Sequence, residues 1–215
     1  MRGISSRILA AAGIAAGVAW AGAVICCGAI RPGYNPVSQF VSELAERGSS
    51  TEVVMRITGF FVPGLLVIAF AAFLLIRSAG PIVAILLIIH GVGRLTAGMF
   101  PCDPGCPASG SSVSQAVHNA AAMMNGLTLV AAAAFCSVRM WRVGRNRFAL
   151  YSLASAIAAA VFLVLMFRDV TTRTYVGLFQ RLAFGVLHVW LAAFALSVWP
   201  WAIESTDNLA GAGGK

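Results

Sequence analysis

The sequence predicts an all-α polytopic membrane bundle of six transmembrane helices, and three observations carry that prediction. Of 215 residues, 60% are hydrophobic and only 10% charged, with a mean hydropathy of +0.88. A soluble domain carries about 25% charged residues, so this chain has too little charge to cover a globule in water. Six apolar runs each reach the roughly 20 residues a helix needs to cross the hydrocarbon of a bilayer. The basic residues stand between those runs and do not gather on one soluble face.

A formal charge of +8 and a pI near 10.1 would suit nucleic acid if the arginines were clustered on a soluble surface. The one dense group, Arg139, Arg142, Arg145 and Arg147, directly follows an apolar run. That placement reads as contact with anionic lipid headgroups on the cytoplasmic side. Membrane lipids are therefore the expected partners, with a membrane-protein partner or a second copy of the chain also allowed for. Nucleic acid is not expected.

The first predicted helix spans 8–30. Its basic start resembles a secretory signal, but the apolar run exceeds the 7–15 residues usual there, so a retained helix is expected. Gly13 and Gly17 form a small-xxx-small pair that lets another helix approach closely. The longest outer connection, 31–52, opens with the turn signals Pro32-Gly33 and Asn35-Pro36. Val37, Phe40, Val41 and Leu44 then recur at helical spacing. This predicts a short amphipathic helix over 37–47, lying on the membrane surface and ended by Gly48. Ser38, Ser42 and Glu43 fall off its apolar stripe, toward water or over the mouth of the bundle.

The second helix, 53–76, contains Pro63-Gly64, which predicts a kink. The third spans 81–100. After it, Cys102-Asp103-Pro104-Gly105-Cys106 places Pro-Gly at the centre of a type II turn, which brings the two cysteines together. In an oxidising outer compartment the expectation is a Cys102–Cys106 disulfide. Cys26, Cys27 and Cys136 lie in apolar helices and read as packing residues. Helices over 115–138, 149–167 and 176–199 complete a single domain, 1–200, and 201–215 is expected to be a disordered cytoplasmic tail.

With the N-terminus inside, eight basic residues face the cytoplasm and four lie outside, while the acidic residues lean outward. The positive-inside rule then places both termini in the cytoplasm of a multi-pass protein of a bacterial cytoplasmic membrane. Alanine-rich, lysine-poor composition suggests the bacterial source.

Ionisable side chains inside a membrane need a partner or a purpose. Here they are Arg56, His90, Arg94, His118, Arg181 and His188. A rise of about 1.5 Å per residue puts Arg94 and Arg181 roughly 8–9 Å below the outer boundary, with His90 and His188 nearer the midplane. All three intramembrane arginines fall in the outer half, which predicts a polar pocket there. One reading is structural: Glu43, Glu52, Asp103 and Asp169 pair with Arg56, Arg94, Arg181 and Arg173 and lock the loops down. A second is an anion site, because guanidinium forks match phosphate or carboxylate. Its expected members are Arg94, Arg181, Ser42, Glu43, His90 and His188. A third adds acid/base chemistry on a lipid headgroup by Glu43, Asp103 and His118. A helper subunit or small transporter also stays open. No motif calls for a cofactor, and no ligand spacing calls for a metal.

Three segments resemble a known family. Tyr34-Asn35-Pro36-Val37-Ser38-Gln39-Phe40-Val41-Ser42-Glu43-Leu44 with Gly48 is similar to the signature that follows the first helix in the domain-of-unknown-function 998 family. Gly98-Met99-Phe100-Pro101-Cys102-Asp103, with Cys106 and His118, resembles its segment between helices 3 and 4. Gln180-Arg181 with Trp190 resembles its final signature. The resemblance implies a six-helix integral membrane protein and no assigned activity. It marks Ser38, Ser42, Glu43, Asp103, His118 and Arg181 as signature positions; Arg56 and His90 have no match.

Overall fold

The computed structural model describes residues 2–78, 80–109 and 112–210, with backbone alone at 2–5 and 201–210. Six long helices follow one another: α1 (Arg2–Ile30), α2 (Glu52–Ile76), α3 (Pro81–Met99), α4 (Val113–Arg142), α5 (Asn146–Arg168) and α6 (Val176–Ala210). Each contains a stretch long and apolar enough to cross a membrane, as a multi-pass membrane protein requires. Among the described residues there is no strand. That is the architecture expected in lipid, where a helix satisfies its own backbone hydrogen bonds.

The helices stand in a closed ring. Each packs on its neighbours in sequence, α1 closes against α6, and α4 touches α6 across the middle. Short connections at 77–80 and 143–145 force antiparallel neighbours at one end. The longer connections 31–51, 100–112 and 169–175 meet at the other, called here the strap end. Small residues let the axes approach. A Cβ added at Gly13 would stand 2.8 Å from the Ala195 Cβ, and one at Gly17 would stand 3.2 Å from the His188 carbonyl. The expected small-xxx-small pair thus faces α6. Gly64 and Gly91 do the same for α2 and α3, each lying against the other's carbonyl.

The half of the ring away from the strap is filled by apolar side chains. Phe70, Phe73, Leu87, Leu129, Trp190 and Phe194 are buried there. Ile25, Val18, Leu127 and Val189 point outward and are largely exposed, as suits helices solvated by acyl chains. The buried polar residues concentrate in the other half, under the strap.

Two elements differ from expectation. α6 continues through Pro200 to Ala210, so helix runs into the segment expected to be a tail; the expectation for 211–215 lies outside the described residues. In α2 the kink signal at Pro63 coincides with a π-helical segment, Arg56–Phe61. Proline has no N–H to offer the carbonyl four residues back, which here belongs to Gly59. That freed carbonyl matters below.

Candidate functional site

The strap is built from sequence-local bonds and then tied down. The Asn35 side chain accepts from the Val37 N–H at 2.9 Å, and the Asn35 carbonyl accepts from the Gln39 N–H at 2.9 Å, forming the turn that Asn35-Pro36 announces. The predicted surface helix over 37–47 is replaced by a short 3-10 helix, Val41–Ala45, whose Val41, Glu43, Leu44 and Ala45 are buried. The reason is docking. The Val37 carbonyl accepts from the Leu178 N–H at 2.9 Å, and the Val41 N–H donates to the Gln180 Oε1 at 2.6 Å. The chain before Val41 therefore bonds to the start of α6 and does not coil. Of the apolar period, Val41 and Leu44 are buried at the bundle mouth, while Val37 stays exposed.

Glu43 reaches back to its own helix start. Its Oε1 accepts from the Phe40 N–H at 2.9 Å, and its Oε2 accepts from the Gln39 side-chain amide at 2.8 Å. This is the acidic half of a capping box. The same carboxylate pairs with Arg173 from the 169–175 connection. Glu46 pairs with Arg31 and accepts from the Gly105 N–H at 2.6 Å. Cys102 and Cys106 stand at disulfide distance, with Cα atoms 5.1 Å apart. The turn between them has the predicted form, with Gly105 at φ +79° and a 2.8 Å bond from the Cys106 N–H to the Asp103 carbonyl. The Arg173 guanidinium donates to the Gly105 carbonyl at 2.9 Å, and the Arg47 N–H to the Cys102 carbonyl at 2.9 Å. Three connections distant in sequence are thereby laced into one lid.

The expected acid–arginine pairing holds in part. Glu52 pairs with Arg56 at 3.0 Å, and the Arg56 Nε also donates to the Gly98 carbonyl at 2.8 Å. Among the described residues Arg181 finds no carboxylate. It donates to the carbonyls of Pro36 at 2.7 Å, Gly177 at 3.0 Å and Gln39 at 3.2 Å, and to the Tyr34 hydroxyl. Burial pushes the Tyr34 hydroxyl above its usual range, against the pull of the Arg181 and Arg31 charges. It stays protonated and donates to the Phe40 carbonyl at 2.9 Å. Arg181 is thus a clamp on the strap, and of the two arginines expected in one ligand site only Arg94 lines the cavity described below. The two guanidiniums serve different places because Arg181, near the start of α6, sits level with the strap backbone.

Asp169 holds the third connection. Its carboxylate accepts from the Thr172 hydroxyl and from the Tyr175 N–H at 2.5 Å, and the Thr172 bond first, then backbone N–H groups, lower its pKa. A depressed folded-state pKa gives stability that is present above the unfolded value, about 3.9, and is lost as pH falls through the folded one. The protection factor of the Tyr175 amide, its exchange relative to an unstructured amide at the same pH, is therefore expected to be high at neutral pH and to fall in acid, below the ordinary carboxylate range. Equal protection at both would remove this role.

Beneath the lid lies a cavity of 460 Å³, within the roughly 300–1,000 Å³ that hold small-molecule ligands. Its polar lining includes Arg94, Ser42, His118, Asn119, Asn125 and Gln180, and the remainder is mostly apolar. Arg94 is only 3% exposed. One Nη donates to the Gly59 carbonyl freed by Pro63, the guanidinium stands 5.6 Å from the centre of the Phe60 ring, and Nε has no partner. Among the described residues no carboxylate pairs with it; the four ion pairs belong to Glu43, Glu46, Glu52 and Asp103 with other arginines.

The histidines surround this point. His118 directs Nδ1 at the Phe100 and Ala97 carbonyls, 2.9 and 3.2 Å away, which fixes a proton on Nδ1. His90 does the same toward the Asn125 carbonyl at 3.1 Å, and His188 toward the Phe184 carbonyl at 2.7 Å. Their rings stand 6.4 Å apart, and His188 stacks on Trp20 at 4.4 Å. His90 Nε2, His188 Nε2 and Asn125 Oδ1 are buried without a partner.

The expected ligand set therefore divides. Arg94 and Ser42 line the cavity, and His90 and His188 lie outside its walls. Glu43 and Arg181 belong to the lid. The expected acid/base group divides as well. Asp103 Oδ1 accepts from the Ser112 hydroxyl at 2.7 Å, and among the described residues no hydrogen bond joins Glu43, Asp103 and His118 to one another. Asn125 and Trp20 were missed as cavity residues. An amide midway along an apolar helix is the signal that could have found Asn125.

No curated protein and no solved structure matches the chain. The family model described as "Protein of unknown function (DUF998)" matches residues 14–197. With most of its length covered by that match, the chain belongs to the DUF998 family of proteins of unknown function.

Proposed function

We propose that this protein binds an anionic group, phosphate or carboxylate, in the cavity under the strap, with Arg94 as its counter-ion. One observation carries the reading: Arg94 is buried beside a cavity, its Nε is unpartnered, and among the described residues no carboxylate pairs with it. The Gly59 carbonyl explains one hydrogen bond of Arg94 but not the charge, because any neutral donor would serve a carbonyl. A guanidinium carries five N–H donors in a fork suited to an oxyanion, and an uncompensated buried charge is costly. Ser42 and Asn125 stand in the same walls, with a hydroxyl and a side-chain amide to bond the remaining oxygens.

We place the strap end outward and both termini in the cytoplasm of a bacterial cytoplasmic membrane. The excess of basic residues at the opposite end supports this, and a cysteine pair at disulfide distance suits an oxidising side.

The test is native mass spectrometry of protein taken from vesicles containing phosphatidylglycerol. Wild type is expected to retain anionic phospholipid or phosphate, and Arg94→Met to lose it by about tenfold or more, the loss of one charge-assisted pair. Arg181→Ala is expected to keep it. Melting temperatures of all three establish that each is folded. Equal retention by folded Arg94→Met removes the proposal.

A further inference from the structure

The cavity has an apolar side door. Met123 and Leu127 of α4 and Val164 and Phe167 of α5 line it, and the same four residues are exposed on the outer surface of the ring. Between them the wall is lowered by the small residues Gly126 and Ala160. The cavity therefore runs from Arg94 in the interior to an opening between α4 and α5, on a surface that acyl chains solvate. The strap covers much of the axial route. Val41 and Leu44 are buried under the strap, and the Arg173–Glu43 and Arg31–Glu46 pairs hold it down.

We infer that the anion at Arg94 is the head of an amphiphile whose acyl chain lies in the groove between α4 and α5 and which enters sideways from the bilayer. This rests on the anion reading above and names its ligand class. The mouth between α4 and α5 is apolar and suits an amphiphile better than a water-soluble anion. A lipid already has its chain in the solvent that bathes the mouth, and a charged head needs only to pass inward to the guanidinium. A second chain, where there is one, stays in the bilayer.

The experiment uses full-length protein in phosphatidylcholine nanodiscs and a phosphatidic acid probe with a diazirine midway along one acyl chain. Photolabelling is expected to concentrate on 122–130 of α4 and 160–167 of α5. Ala160→Phe fills the groove and is expected to lower that labelling by about an order of magnitude, whereas Ile157→Phe, on the exposed face of α5, leaves it unchanged. Millimolar inorganic phosphate is expected not to compete. Labelling spread evenly over all six helices overturns the inference. So does competition by phosphate, which keeps an anion site at Arg94 and removes the chain. If Ala160→Phe fails to fold, the wild-type label map and the phosphate competition decide the matter alone. Loss of anion retention in the Arg94→Met experiment is read separately, so failure of the chain reading is distinguished from failure of the anion reading on which it rests.

Discussion

Replacing Glu43 with alanine is expected to cost about 3 kcal/mol in equilibrium unfolding in mixed micelles, the low end of what breaking a buried ion pair costs. The low end applies because Arg173, the partner left behind, keeps a third of its side chain exposed to solvent. Glu43 itself is 2% exposed and accepts from the Phe40 N–H and the Gln39 amide besides Arg173. Alanine removes all three acceptor roles at once, so the 3-10 helix loses its start and the 169–175 connection loses its anchor. Glu43→Gln keeps an acceptor for the backbone and is expected to lose about half as much, since neutral hydrogen bonds are worth roughly 1 kcal/mol each. An alanine variant as stable as wild type would mean that the carboxylate is not what holds the strap.

Gly177→Leu is expected to be comparably severe, by a different route. A Cβ at this position would collide with the Gln39 carbonyl and stand 2.7 Å from the Pro36 carbonyl. Both obstacles are backbone, so no flexible side chain can yield. Overpacking costs about 1–3 kcal/mol or more, and here the cheaper response is for the strap to lift. Hydrogen exchange is therefore expected to rise sharply over 34–47 while amides in the filled half of α2 and α6 keep their protection, a local opening rather than a global one. Uniform loss of protection across the bundle would show that the strap and the ring are one cooperative unit.

What could be read from the sequence follows the strength of each physical constraint. Lipid leaves a backbone almost no choice, so the six helices stand within a few residues of expectation, apart from the α1 start at Arg2, the α4 ending at Arg142 and the α6 continuation to Ala210. At those ends arginines, or chain beyond the hydrocarbon, let a helix continue where apolarity stops. The strap was read in the wrong form for a specific reason. Val37, Phe40, Val41 and Leu44 have helical spacing, but periodicity reports that one face is covered without saying by what. Here α6 and the bundle mouth cover it, and the backbone N–H and carbonyl groups of 37–41 go to α6.

The arginines teach a similar lesson. Rise per residue gives the depth of Arg94 and Arg181, and both do lie toward the strap end. Depth says nothing of rotation about the helix axis, and rotation decides that Arg181 meets strap carbonyls while Arg94 meets a cavity. Pro63 announced a disturbed helix, but only the neighbouring helix reveals that the freed Gly59 carbonyl is answered by Arg94. The acidic residues are the deciding partners. With Glu43, Glu46 and Glu52 spent on Arg173, Arg31 and Arg56, no ion pair among the described residues includes Arg94, which is the ground for the anion proposed above.

That last point is tested most directly by an experimental density map of the protein in nanodiscs containing anionic phospholipid. The account predicts density for an acidic group about 2.7–2.9 Å from the Arg94 guanidinium, the length of a charge-assisted bond, with Glu43 still on Arg173. A cavity holding only water, or a carboxylate of the protein itself turned onto Arg94, would contradict it.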